Sequence, residues 1–180
     1  MPDEKLPGGP TQDEILAISL FKLGLKSTDT VLEIGCGTGK VSVAMARASQ
    51  KVCSIDIRPE AVALATKTAQ EAGVHNIEFF TAEATAFVHK EGLYDCAFLG
   101  GTKNLLAILP VLAKKVRRTI VINAVLLSTL ADAVNALQEL GLFVEVVQVQ
   151  VSRSYAIAGS VMFKPIDPVY VIVGRGAACS

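Results

Sequence analysis

The sequence has 180 residues, 51% of them hydrophobic and 19% charged, with 17 Lys/Arg balancing 17 Asp/Glu. That length carries one well-buried domain, residues 1–180, and the composition excludes a disordered chain. No apolar run is long enough to span a bilayer and the first ten residues hold no apolar export segment, so a cytoplasmic protein is expected.

In chain order, "LPGGP" (6–10) is a rigid lead-in. Thr11 then stands as an N-cap with Glu14 three residues on, the capping-box spacing, and Ile15, Leu16, Ile18, Leu20 and Leu23 supply the apolar stripe of a first helix. Residues 30–34 ("TVLEI") read as a short buried strand, followed by the turn "GCGTG" (35–39) and a helix over about 40–48. A second strand (51–55) ends at Asp56, and Pro59 suits the first turn of a helix that Gly73 closes. Further strands start near Asn76 and run from Tyr94 toward Gly100.

Residues 102–116 form a helical pattern that Pro110 should kink or divide, because proline brings no N–H. "KKVRR" (114–118) reads as a solvated helix end and loop, where cations suit the C-terminal dipole. A fifth strand (118–124) precedes a helix with Ser128 as its expected cap and Gly141 as its stop. Such alternation predicts a parallel sheet with helices on both faces.

The rhythm then breaks. Residues 143–154 ("FVEVVQVQVSRS") alternate with a phase slip at Val146–Val147, which a bulge or a strand covered on both faces would explain. Residues 167–176 form another strand with no helix between, so the two should be antiparallel.

Cys36, Cys53, Cys96 and Cys179 form no CxxC pair or Cys/His cluster, which predicts buried free thiols and no metal site. His75 and His89 are isolated and read as surface residues. Charge is uneven: residues 1–100 carry 9 Lys/Arg against 13 Asp/Glu, and residues 101–180 carry 8 against 4. A nucleic-acid-binding domain would be basic throughout, so neither nucleic acid nor membrane is expected as a partner.

The chemistry concentrates at "VLEIGCGTGK" (31–40). A glycine turn between strand and helix brings backbone N–H groups to one point and lets a ligand approach closely. The spacing is GxGxG rather than the dinucleotide GxGxxG, and Glu33 stands just before it. A carboxylate there would repel a pyrophosphate by several kcal/mol at an effective dielectric of about 20. It suits a ligand with an ammonium and a sulfonium, which S-adenosylmethionine has. Asp56, at the end of the next strand, can accept both hydroxyls of a ribose. Glu83 and Ala84, after the third strand, would flank the adenine.

"VLEIGCGTG" with Asp56 one strand later resembles the class I S-adenosylmethionine-dependent methyltransferases over about residues 27–175. "GGPTQDE" (8–14), "FLGGTKNLL" (98–106), "VINAV" (121–125) and the tail 151–174 are similar to the decarboxylating precorrin-6B methyltransferases of cobalamin (vitamin B12) biosynthesis, specifically the stand-alone branch of the anaerobic route. The resemblance implies a Rossmann-like α/β fold, with a seven-stranded mostly parallel sheet and an antiparallel C-terminal hairpin. It implies methyl transfer to carbon 15 of a cobalt-precorrin tetrapyrrole, with loss of carbon dioxide from the ring-C acetate. S-adenosylhomocysteine is the implied product, and cobalt is present only within the substrate. It further implies a homotetramer that the terminal hairpin helps to build. By position, Thr11, Gly35, Cys36, Gly37, Thr38, Gly39, Asp56 and Ala84 would contact the cofactor; Glu33 and Glu83 join them on the physical argument. Lys103, Arg153 and Lys164 are the expected partners of the substrate's carboxylates.

The place after the fourth strand holds "LGGT" instead of the Asn/Asp-Pro-Pro of many amino-group methyltransferases, as a carbon nucleophile would allow. Its two glycines are expected to leave room for a flat substrate, and no general base is assigned. Two alternatives stay open: a tRNA or protein methyltransferase on a related fold, and a non-catalytic nucleotide-binding sensor.

Overall fold

The computed structural model describes residues 9–90 and 92–178. Strands β1 (Thr30–Ile34), β2 (Lys51–Asp56), β3 (Ile77–Thr81), β4 (Tyr94–Leu99), β5 (Val116–Ala124), β6 (Phe143–Val149) and β9 (Val169–Arg175) form one sheet in the order β3-β2-β1-β4-β5-β9-β6. The first five are mutually parallel, while β9 runs antiparallel to both β5 and β6. β7 (Ser152–Ile157) and β8 (Ser160–Pro165) form a separate two-stranded ribbon. The α/β fold with an antiparallel end is the one expected.

Alternate strand residues feed two cores. Leu32, Ile34, Ile55, Leu99 and Ile122 pack under α4 (Ala84–Val88), α5 (Leu105–Ala113) and α6 (Leu127–Glu139). Val31, Val52, Phe98 and Val121 pack with Ile15 and Leu23 of α1 (Asp13–Leu23) and with Val41 and Met45 of α2 (Lys40–Ala46). α3 (Pro59–Glu71) buries only Ala61, Ala65 and Ala69, small residues at i, i+4 and i+8 that let it lie close. Among the described residues no helix is long and apolar enough to cross a membrane.

Several local expectations are corrected. Gln12 is the N-cap of α1 and no side chain caps it; the Thr11 carbonyl instead accepts from Lys40 Nζ at 2.7 Å. Ser128 lies inside the first turn of α6, whose N-cap is Leu126. α5 runs unbroken through Pro110, because Pro110 and Leu106, whose carbonyl loses its donor, both face solvent. "KKVRR" is not a loop: β5 starts at Val116, and Arg118 reaches back to the 2% exposed Asp29 at 2.7 and 2.8 Å. This guanidinium holds the Asp29 carboxyl below its ordinary range.

The phase slip at Val146–Val147 is a strand covered on both faces, Val146 packing on one core and Val147 on the other. The register shift in β6 lies earlier, between Phe143 and Glu145. The ribbon is the element that the sequence pattern merged with β6. Its turn is Ala158–Gly159, both at positive φ (47° and 73°), a hairpin geometry that usually recruits Asn, Asp or Gly at the first position. Cys36, Cys53 and Cys96 are buried free thiols and His75 and His89 are exposed, as expected; Cys179 lies outside the described residues.

Candidate functional site

A cavity of about 630 Å³ opens at the C-terminal ends of β1, β2, β4 and β5. β1 and β4 are where the strand order reverses, the crevice that open α/β sheets offer to ligands. The glycine turn forms its floor. Gly35, Gly37 and Gly39 all have positive φ (88°, 52° and 80°), for two different reasons. A Cβ on Gly35 would stand 2.5 Å from Gly101 N, and one on Gly39 2.7 Å from Ala65 Cα, so these two let β4 and α3 close on the turn. A Cβ on Gly37, which lines the cavity, would meet nothing within 4 Å. Gly39 is not on the wall, whereas Gly35, Cys36 and Thr38 are.

Asp56 is on the wall and only 5% exposed. Its Oδ2 accepts from Gly37 N–H and Arg58 Nη2, both at 3.1 Å, and its Oδ1 accepts from Arg58 N–H and Nε at 3.1 and 3.0 Å. Burial pushes this carboxyl up, but these hydrogen bonds outweigh it and hold it below the ordinary range. Arg58 is a wall residue that sequence reasoning missed, although it stands two positions past the predicted ribose acid.

Glu33 is placed differently from the expectation. It is fully buried beneath the turn and absent from the cavity wall, so direct contact with a bound ligand is not what this geometry offers. β1 pairs it in register with Ser54 on β2 and Phe98 on β4, and α2 lays Ser42 over it. Its Oε2 accepts from Ser54 Oγ at 2.5 Å and from Ser42 Oγ, while Oε1 has no partner. Burial pushes the carboxyl up to about 7, against the pull of the two serine hydroxyls.

The remaining wall is assembled from four places. Thr11 arrives on the strap before α1, which Lys40 ties down through the Thr11 carbonyl and through Asp13 at 2.6 Å. Glu83 and Ala84 come from the start of α4, where Glu83 Oε2 accepts from Ala86 N–H at 2.9 Å and caps the helix. That bond and a second one from the Thr85 backbone hold the Glu83 carboxyl down to about 2. Gly100 and Gly101 both donate to the Ile34 carbonyl, at 2.9 and 3.0 Å. Their lack of side chains serves this backbone approach to Gly35, a tighter reason than the room for substrate read from the sequence.

Lys103 lies on the wall; Arg153 and Lys164 do not. They face each other across the ribbon, and Arg153 is paired with Glu14 of α1 at 2.8 Å, which fastens the ribbon to the body. The apolar rim Val125–Leu126 and Asn123, hydrogen-bonded to Ser19 at 3.0 Å, were also missed. They follow β5 directly, a position that the switch-point rule marks but no residue pattern does. Two carboxylates against a glycine turn with an open Gly37 fit S-adenosylmethionine better than a pyrophosphate-bearing dinucleotide.

The chain matches the precorrin methyltransferase domain over residues 6–174. It is 44% identical over 176 residues to a Methanosarcina acetivorans protein named probable cobalt-precorrin-6B C(15)-methyltransferase (decarboxylating), covering 95% of this chain and 96% of that one. Among solved structures, a precorrin-8W decarboxylase from Methanobacterium thermoautotrophicum superposes with a TM-score of 0.89 at 28% identity, over 92% and 91% of the two chains. A precorrin-6Y C5,15-methyltransferase from Geobacter metallireducens gives 0.89 at 26% identity, over 95% and 93%.

Proposed function

The chain belongs to the precorrin methyltransferase family, and from that membership we propose that it methylates carbon 15 of cobalt-precorrin-6B and removes the ring-C acetate carboxyl as carbon dioxide, in cobalamin biosynthesis. The observation that carries this reading is the cavity at the strand switch point, floored by Gly35–Thr38 and walled by Asp56, in a chain aligned nearly end to end with a relative of that name.

S-adenosylmethionine supplies the methyl group. Gly37 gives it an approach to the turn, Asp56 takes the ribose hydroxyls, Ala84 and Glu83 flank the adenine, and Thr11 and Thr38 close the methionyl side. The Arg58 guanidinium, about one-third exposed, is the group that yields Asp56 to the ribose. The chain's contribution to the chemistry is positioning in a water-poor site, since an electron-rich tetrapyrrole carbon needs no base to become a nucleophile. The protonated conjugated ring serves as the electron sink for decarboxylation, much as a cofactor would.

Lys103 is the wall cation for a substrate carboxylate, and Val125–Leu126 offer the apolar rim on which a flat ring can rest. A homotetramer in the cytoplasm completes the proposal. Its supports are the exposed apolar ribbon residues Val161, Met162 and Phe163 (63%, 49% and 69%) and the unpaired thiols of a reducing compartment.

Mass spectrometry of cobalt-precorrin-6B after incubation with the protein and S-adenosylmethionine tests the reaction. One methyl gained together with one carbon dioxide lost supports it. Methyl gain alone removes the decarboxylation, and no change in a sample that binds the cofactor removes the substrate.

A further inference from the structure

Glu33 is the fully buried acid beside the cavity that the proposed chemistry leaves without a task. It is sealed at 0% exposure, one of its oxygens accepts two serine hydroxyls, and the other accepts nothing. A buried polar atom without a partner is costly and asks for a reason. Among the described residues no cation pairs with this acid. Of the cations nearby in sequence, Lys40 is engaged with Thr11 and Asp13, Lys51 with Glu78, and Arg58 with Asp56.

The other groups packed around it carry no positive charge either. β2 contributes Ser54 and, two residues on along the same face, Asp56; β4 contributes Phe98. α2 contributes Ser42, and the turn above contributes Cys36, whose thiol burial pushes up to about 12. α1 reaches this face with Ile15, Ser19 and Leu23, and α3 with Ala61 and Ala65. Two carboxylates, Glu33 beneath the glycine turn and Asp56 on the cavity wall, therefore flank it, and the guanidinium there is bonded to Asp56.

Resting on the cofactor reading above, we propose that Glu33 is the charge-compensating group for the cationic part of the bound cofactor: it holds a proton while the cleft is empty and releases it when a sulfonium or ammonium settles on the turn. Glu33 is thus a positioning and selecting group that never touches the ligand. Its carboxyl, raised mainly by burial and further by Asp56, titrates where such an exchange takes place. A neutral nucleoside bound in the same cleft draws no proton from it. This is the physical selection for a charged methyl donor over adenosine.

The test is isothermal calorimetry of S-adenosylhomocysteine and of adenosine, in two buffers of different ionisation enthalpy. At pH 7 the wild type should release roughly 0.3–0.5 proton per S-adenosylhomocysteine, because the group is about half protonated there. Affinity should rise about tenfold from pH 5.5 to 7.5 and then level off, since release stops above the free-state pKa. Glu33→Gln, which mimics the protonated acid, should release none and keep the low-pH affinity throughout. Adenosine should release none from either protein.

Equal release by wild type and Glu33→Gln, or by adenosine and S-adenosylhomocysteine, would overturn the proposal and leave the methyltransferase reading intact. Failure of the wild type to bind S-adenosylhomocysteine at all would overturn both. An infrared difference spectrum of the wild type keeps the test independent of that variant's folding. The buried carboxylic C=O band should vanish on addition of S-adenosylhomocysteine, and its persistence refutes the exchange.

Discussion

Alanine at Gly35 and at Gly37 separates the two tasks of the turn. Both positions have positive φ (88° and 52°), so each alanine costs about 1 kcal/mol in backbone preference. The surroundings then diverge. At Gly35 the new Cβ would lie 2.5 Å from Gly101 N and 2.9 Å from Gly101 Cα, and these are backbone atoms that cannot rotate away. Relief needs a shift in a segment whose Gly100 and Gly101 amides are both bonded to the Ile34 carbonyl. Overpacking of this kind costs about 1–3 kcal/mol more.

At Gly37 the Cβ meets nothing within 4 Å, but it projects where a ligand would approach. Gly37→Ala should therefore lose only about 2–4 °C in Tm, while Gly35→Ala loses roughly 4–16 °C for a total of about 2–4 kcal/mol. Affinity should follow the reverse logic. Measured by calorimetry, S-adenosylhomocysteine should bind Gly37→Ala at least tenfold more weakly than wild type. Thermal melts of the two variants supply the stability half. Equal melting losses would refute the assignment of Gly35 to packing, and wild-type affinity in Gly37→Ala would refute the cradle.

Other expectations follow from named contacts. Arg118→Ala leaves Asp29 buried without its guanidinium, and should cost about 1–3 kcal/mol at pH 7 after allowing for the exposure of Arg118. Because Asp29 has a lowered pKa, that cost should shrink as pH falls through it, which urea melts at pH 3 and 7 will show or deny. Glu33 has the opposite sign. Its carboxyl, raised from 4.5 to about 7, binds more protons folded than unfolded, so it costs stability progressively from about pH 4.5 to 7. Glu33→Gln should thus gain up to roughly 3 kcal/mol on wild type at pH 8 and little at pH 4, by urea midpoints. Lys103→Ala should weaken tetrapyrrole binding about fivefold or more and leave S-adenosylhomocysteine affinity unchanged, as titration of each ligand can check. Val161→Ser with Phe163→Ser should lower the mass seen by light scattering without lowering the Tm of the core; an unchanged mass would remove the ribbon from the interface.

Much of this architecture was legible because each βα unit announces itself locally. Pro59 opens α3, Gly73 closes it, and β1 and β2 are short apolar runs bounded by polar turns. The misreadings cluster where a tertiary contact overrides the local signal. Thr11 has capping-box spacing, yet its backbone is drawn to Lys40 across the turn. Arg118 looks like a solvated charge until Asp29, 89 positions away, is brought beside it. The ribbon was invisible because Ala158 occupies a left-handed position where composition predicts Asn or Gly.

The candidate site divides along the same line. Gly35–Gly39 and Asp56 belong to a single βαβ unit, so their spacing alone carries the geometry. Asn123 and the Val125–Leu126 rim meet them only when the sheet closes, whereas Arg58 binds Asp56 locally but carries no motif of its own. Glu33 is the instructive case. Its charge was the reason to choose a cationic ligand over a dinucleotide, and that reason required the acid to be near the turn. The period of the strand decides the rest: Glu33 pairs with Ser54 and Phe98, and so points under α2 on the face opposite Leu32 and Ile34. A carboxylate in water beside the ligand would be screened and worth little, whereas one sealed beneath the turn acts at low dielectric and must answer any charge placed above it. Burial removes the contact and strengthens the coupling, so the proposed proton exchange carries the electrostatic argument by a different route from the direct contact that the sequence suggests.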